Sequence, residues 1–175
     1  MNWPYVHLTT NHFPIMVTAF GILVLACALV TRRRAAWMYA LATLAIAGLS
    51  AGPVYLTGNE AEDAVESMKV AQPARINAHE ENAELATWFM LGMGVISAYG
   101  LWRMRRSPQD EQPRVWLRGV VAATALAGMA TITLAAHSGG KIAHGDNTLT
   151  GKPSIIATPP GPGDTLRTPE DDEKH

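Results

Sequence analysis

The sequence predicts an all-α protein: a four-helix transmembrane bundle with a short outer amphipathic helix and a C-terminal tail of disordered type. Three observations carry that expectation. Four apolar stretches, 13–30, 35–56, 85–102 and 115–136, each approach or reach the roughly 20 residues a helix needs to cross a bilayer. None of them holds a charge at its centre, where one would cost about 3 kcal/mol. The arginines gather in the two shortest links between the stretches, and that pattern reads as topology.

The mean hydropathy of +0.06 hides this division, because a polar loop over 57–83 and a polar end dilute the apolar segments. The 175 residues fit one membrane domain, 1–146, followed by a Pro-rich acidic tail, 147–175. A net charge of −1, with no basic patch interleaved with aromatics, argues against nucleic acid as a partner. The lone cysteine, Cys27, lies inside an apolar stretch, so neither a disulfide framework nor a thiolate metal site is expected.

In chain order, the first span has no basic residue before it and no small-residue cleavage site, so it reads as a retained helix. Arg32, Arg33 and Arg34 join it to the second span. Arg103, Arg105, Arg106, Arg114 and Arg118 lie in or beside the link between the third and fourth. Basic short links stay in the cytoplasm, which places both ends of the chain outside. Trp3, Tyr5 and Tyr55 then fall near the outer interface, and Trp37, Tyr39, Tyr99, Trp102 and Trp116 near the inner one. Pro53 is expected to kink or end the second span. Gly48, Gly52, Gly92 and Gly94 suit close helix packing.

The outer loop opens with Asn59 as a candidate helix cap. Ala61, Ala64, Val65 and Met68 then recur at helical spacing among acidic residues, predicting a short amphipathic helix over 59–70. Pro73 is expected to separate it from a helical extension of the third span. In the tail, Pro153, Pro159, Pro160, Pro162 and Pro169 break any helix, and the composition is too polar to bury a core.

The histidines are the main chemistry-bearing residues. His7, His12, His79, His137 and His144 all map outside, near span ends, where a four-helix bundle gathers its termini. Any one of them alone reads more simply as an interfacial side chain or a cap. As a set they suggest a cofactor. His79 shares a helical face with Ala83, Ala86 and Met90, and His12 with Met16 and Ala19; small and soft neighbours would leave room for a flat group. Haem b between two histidines of different helices is one candidate. Copper or zinc on His79, His144, His12 and His137 is another, although His79-Glu80-Glu81 is a weak zinc signal. Asp63, Glu80 and Glu81 could orient an imidazole. A quinone site is a third possibility, since a histidine–carboxylate pair near the interface can accept a quinol proton.

These residues also form an ordered set of short motifs. His7 precedes His12 by five positions, and His12-Phe13-Pro14-Ile15 opens the first span. Thr57-Gly58 follows the second span, His79 with Asn82 precedes the third, and Gly139-Gly140 then His144-Gly145 follows the fourth. This order resembles a widespread bacterial family of predicted four-helix membrane proteins of unknown function. The resemblance spans about residues 5–146. It departs at Leu8, where many members carry proline, and His137 is outside the shared pattern. It implies a cytochrome b-like bundle in the bacterial inner membrane, of a kind found beside or fused to c-type cytochromes. The matched positions imply His7, His12, His79 and His144 as candidate ligands, with His79 and His144 foremost.

The expected function is therefore electron transfer at the outer face, relaying electrons between quinol and an outer cytochrome. The loop 57–83 and the tail 147–175 would dock that cytochrome or other subunits. An accessory or assembly subunit of a larger membrane complex is the first alternative, and a copper- or zinc-binding membrane protein the second. A stand-alone enzyme is not indicated, because no nucleophile–base arrangement can be placed. The spans carry no ionisable residue at mid-depth, which argues against a transporter.

Overall fold

The computed structural model describes residues 3–68, 73–108 and 112–144. Five helices make up the fold: α1 Trp3–Thr10, α2 His12–Thr31, α3 Arg34–Met68, α4 Pro73–Arg106 and α5 Val115–His144. No strand occurs among the described residues. The tail 147–175 lies outside them, so its expected character is not addressed by the structure.

Four helical segments are long and apolar enough to cross a membrane: Trp3–Thr31 (α1 and α2 together), Arg34–Ala64, Pro73–Arg106 and Val115–Ile142. This is the pattern of a multi-pass membrane protein. Met16, Leu23, Val30 and Leu126 are each more than 60 % exposed. Such residues suit a lipid-facing wall.

The α1–α2 break follows from Pro14. Its nitrogen has no hydrogen to give the carbonyl of Thr10, and its ring crowds that carbonyl, so α1 ends there. Asn11 keeps helical angles (φ −64°, ψ −24°) and its N–H still reaches His7 O at 2.9 Å, which makes the break a local one. The sequence reading contained no helix before residue 13.

Helices α2 to α5 pack in cyclic order, each against its chain neighbour and α5 back against α2, while α1 lies mainly on α3. Trp37, Leu41, Leu44, Met90, Met93 and Val121 fill the centre. The tightest crossing joins α3 to α4. A Cβ on Gly48 would collide with the carbonyl oxygen of Met90 and lie 2.5 Å from Gly94 Cα; only glycine permits that approach.

At one end of the bundle the two short links interlock. The Arg34 guanidinium donates to the carbonyl oxygens of Pro108 (2.9 Å), Ser107 (3.2 Å) and Met104. Those are carbonyls at and just beyond the C-terminal turn of α4, where unsatisfied oxygens and the helix dipole favour a cation. Across the same end, the Gln112 side-chain amide donates to Arg32 O. Arg32 closes α2 in the left-handed conformation (φ 53°).

Three expectations change. Trp37 is 1 % exposed, so it is a core residue; the Arg118 guanidinium lies 5.7 Å from its ring centre. The acidic segment after Asn59 is not a separate helix, because α3 runs unbroken through Pro53 to Met68. A proline inside a membrane helix is tolerated when packing holds the helix on both sides. Buried Ala61 on this extension and buried Ile76 on that of α4 show that both remain packed. Finally, α5 continues through Gly139 and Gly140 to His144, although the sequence suggests a loop there. At 35 and 34 residues, α3 and α4 are each about 50 Å long. Both are therefore longer than a hydrocarbon core of about 30 Å. Arg75 Nη1 ties the α4 extension to α5 by donating to Lys141 O at 2.9 Å.

Candidate functional site

At the end opposite the arginine links, all the helices contribute to one narrow slot. His7 comes from α1, Asn11 from the α1–α2 joint, and Pro14 and Ile15 from α2. Tyr55 lies on α3, Ala135 on α5, and His79 and Met90 on α4. Along α4 the wall is His79, Ala83, Ala86, Thr87 and Met90. These are residues of one helical face, running about 16 Å from first to last. The slot is polar at its histidine end and apolar towards Met90, which is fully buried. Gly128 makes room there, since a Cβ on it would lie 3.2 Å from Met90 Sδ.

Two imidazoles face this space, and each is held through Nδ1. Ala135 O and Ser138 Oγ lie 3.0 and 3.2 Å from His79 Nδ1. Thr57 Oγ1 lies 3.3 Å from His7 Nδ1. Each ring also rests against a glycine. A Cβ on Gly139 would come within 3.0 Å of His79 Cε1, and one on Gly58 within 3.2 Å of His7 Cε1. Both rings line the same slot. His7 also meets the backbone carbonyl of Val54. No described residue donates a hydrogen bond to Nε2 of either ring. A third polar group joins them: Asn11 Oδ1 is buried without a partner at the slot wall. Buried polar atoms are seldom left unpaired.

The other candidates lie elsewhere. His12 is exposed, with Nδ1 3.0 Å from Leu8 O on its own side of the bundle. Its neighbour Met16, at 70 % exposure, faces outward. His137 is exposed as well. The side chain of His144 lies outside the described part of the chain. The expected ligand foursomes are therefore not assembled among the described residues. These hold no group of three histidine, cysteine or acidic side chains able to grip a metal. Asp63, Glu80 and Glu81 are exposed; for His79, the orienting acceptors are instead a backbone carbonyl and a hydroxyl.

Two imidazoles with free Nε2 atoms are suitable donors for a haem iron, but the space is not. The slot volume is about 80 Å³, far below the roughly 300–1,000 Å³ of sites for drug-sized ligands. Alanines that looked like room for a flat cofactor instead bring the helices together, so a porphyrin does not fit between His7 and His79. A cavity of this size accommodates several waters or part of a small flat molecule.

Nothing in the sequence alone marks Asn11, Ser138 or the two supporting glycines as parts of one site. The Gly58 and Gly139 motifs were visible in the sequence, but their use as ledges for imidazoles depends on helix pairing. Comparison with protein-family models, curated proteins and solved structures yields no match to this chain, which leaves the His7–His79 slot as its most informative chemical feature.

Proposed function

We propose that this multi-pass membrane protein serves electron transfer by binding a redox-active small molecule between His7 and His79. The observation that carries the reading is the pair itself: imidazoles from two helices, both anchored at Nδ1, both lining one narrow, largely apolar slot. Eight arginines in or beside the two short links at the far end favour that end as cytoplasmic. The slot then belongs to the outer face of a bacterial inner membrane, near the level where the apolar stretches begin. The electron-transfer part of the reading draws on the resemblance to bundles found beside c-type cytochromes.

The test is to extract the protein from its native membrane in mild detergent. Bound small molecules are then identified by mass spectrometry, and an oxidised-minus-reduced optical spectrum is recorded. The expected result is a redox-active molecule retained by the wild type, lost in His7→Ala and His79→Ala, and kept in His12→Ala and His137→Ala. Equal content in all five proteins would refute the reading.

One observation favours the accessory-subunit reading. The projecting parts of α3 and α4 expose Glu60, Asp63, Glu80 and Glu81, an acidic surface beyond the bilayer on which another subunit could rest. Reversing these four charges to lysine would then reduce co-purification of any partner while leaving the bound molecule in place.

A further inference from the structure

We infer that the molecule taken by the slot enters as a hydrogen-bond donor: the dihydroxy-aromatic head of a reduced membrane quinone, preferred over its oxidised form. The inference deepens the reading of the His7–His79 site and rests on it.

The argument starts from where the protons are. Thr57 Oγ1 donates its only hydrogen to Val54 O at 2.8 Å, a carbonyl that also pairs with His7; with that hydroxyl oxygen left as an acceptor 3.3 Å from His7 Nδ1, the arrangement assigns the hydrogen to that nitrogen. Ser138 Oγ donates to Ala135 O at 3.0 Å. Both that hydroxyl and the carbonyl therefore act as acceptors for His79 Nδ1. A neutral imidazole with its hydrogen on Nδ1 presents a bare lone pair at Nε2. The two rings thus have the same tautomer, and each offers an acceptor with no protein donor to meet it.

Asn11 Oδ1 is a third acceptor without a partner. A group that could satisfy all three must bring hydrogens. The carbonyl oxygens of an oxidised quinone bring none and would face lone pairs, leaving buried acceptors unpaired. The hydroxyls of a quinol pair with them.

The shape agrees with that chemistry. The slot is narrow, walled by Ala83, Ala86 and Ala135, and continues past Pro14 and Ile15 to Met90. The hydroxyl-bearing edge of a flat aromatic head suits its polar end; with about 80 Å³ of room, the rest of the ring and its tail lie outside the slot. Two imidazoles and one amide oxygen fall short of the four-ligand set of a structural zinc site.

The experiment uses the full chain, purified in mild detergent and depleted of bound small molecules. It is titrated anaerobically by calorimetry with decylubiquinol and, separately, with decylubiquinone. Wild type is expected to bind the quinol about tenfold more tightly, the scale of one or two net hydrogen bonds. The preference is expected to fall in Asn11→Leu and His79→Ala. The wild-type comparison decides the matter even if a variant fails to fold. Equal or tighter binding of the quinone overturns the inference. So does a failure to bind the quinol by protein whose native molecule still depends on His7 and His79, an outcome that leaves the site reading intact. If the native molecule is indifferent to both histidines, the site reading itself falls, and the inference with it.

Discussion

Gly139 on α5 is the ledge against which the His79 imidazole of α4 rests, so closely that a methyl group there would require the ring to give by a few tenths of an ångström. Gly139→Ala places a Cβ within 3.0 Å of His79 Cε1 and displaces the ring from its contact with Ala135 O. Ligand binding is expected to fall by about tenfold, on the scale of one misaligned hydrogen bond. Gly140→Ala is the control. Nothing lies within 4 Å of its Cβ, so it should leave binding alone and stabilise α5 by up to about 1 kcal/mol. Titration of both variants with one ligand, beside thermal unfolding, separates the two effects.

The α3–α4 crossing makes a second prediction. Gly48→Ala drives a methyl group into the Met90 carbonyl and Gly94, where backbone cannot yield as a flexible side chain would. A loss of about 1–3 kcal/mol is expected, the range for overpacking. Gly52→Ala meets only Leu91 Cδ2 at 3.9 Å and should be close to neutral. Unfolding in detergent, followed by circular dichroism, ranks the two.

Arg34 supplies a third. Arg34→Ala removes the donor shared by the carbonyls of Met104, Ser107 and Pro108. A loss of about 1–3 kcal/mol is expected, as for hydrogen bonds to a charged group. Arg33→Ala, on an exposed residue of the same link, should cost less. Reduced protection of the amides at the C-terminal turn of α4, seen by hydrogen exchange in Arg34→Ala alone, would identify the cause.

The two histidines are anchored alike, each by a hydroxyl and a backbone carbonyl: Thr57 and Val54 O for His7, Ser138 and Ala135 O for His79. Thr57→Val and Ser138→Ala each remove the hydroxyl and leave the carbonyl. Ligand affinity is expected to drop several-fold in each, on the scale of one net hydrogen bond, and less than in His7→Ala or His79→Ala. A loss in either variant equal to that of the histidine deletion would show that the hydroxyl alone positions the ring.

Much of the architecture was legible because helices long and apolar enough to cross a membrane announce themselves by length and lack of charge. The four apolar stretches appear as α2 and the apolar parts of α3, α4 and α5. Pro73 opens α4, at a position where its missing N–H costs nothing. The misread parts are those where tertiary packing overrides a local signal. Pro53 and Gly139-Gly140 are breakers in isolation, yet α3 runs on with Ala51 and Ala61 buried on either side of Pro53, and α5 with Gly139 seated against His79. Trp37 looked like an interfacial ring because its position along the span fits that level, but its direction around the helix points inward. The site was half legible. His79 and its stripe of Ala83, Ala86 and Met90 follow from helical periodicity alone. The pairing with His7 depends on α1, a helix defined by a proline four residues beyond its end, and the orphaned Asn11 oxygen is visible only in three dimensions.

The bundle is fastened unevenly. Arg34 and Gln112 bind the two hairpins at one end, and the glycine crossing holds them near mid-height. At the histidine end the ties run within pairs: His7 of α1 meets Thr57 of α3, while His79 and Arg75 fasten α4 to α5. A molecule that bridged His7 and His79 would therefore act as a staple, joining the α1–α3 side of that end to the α4–α5 side.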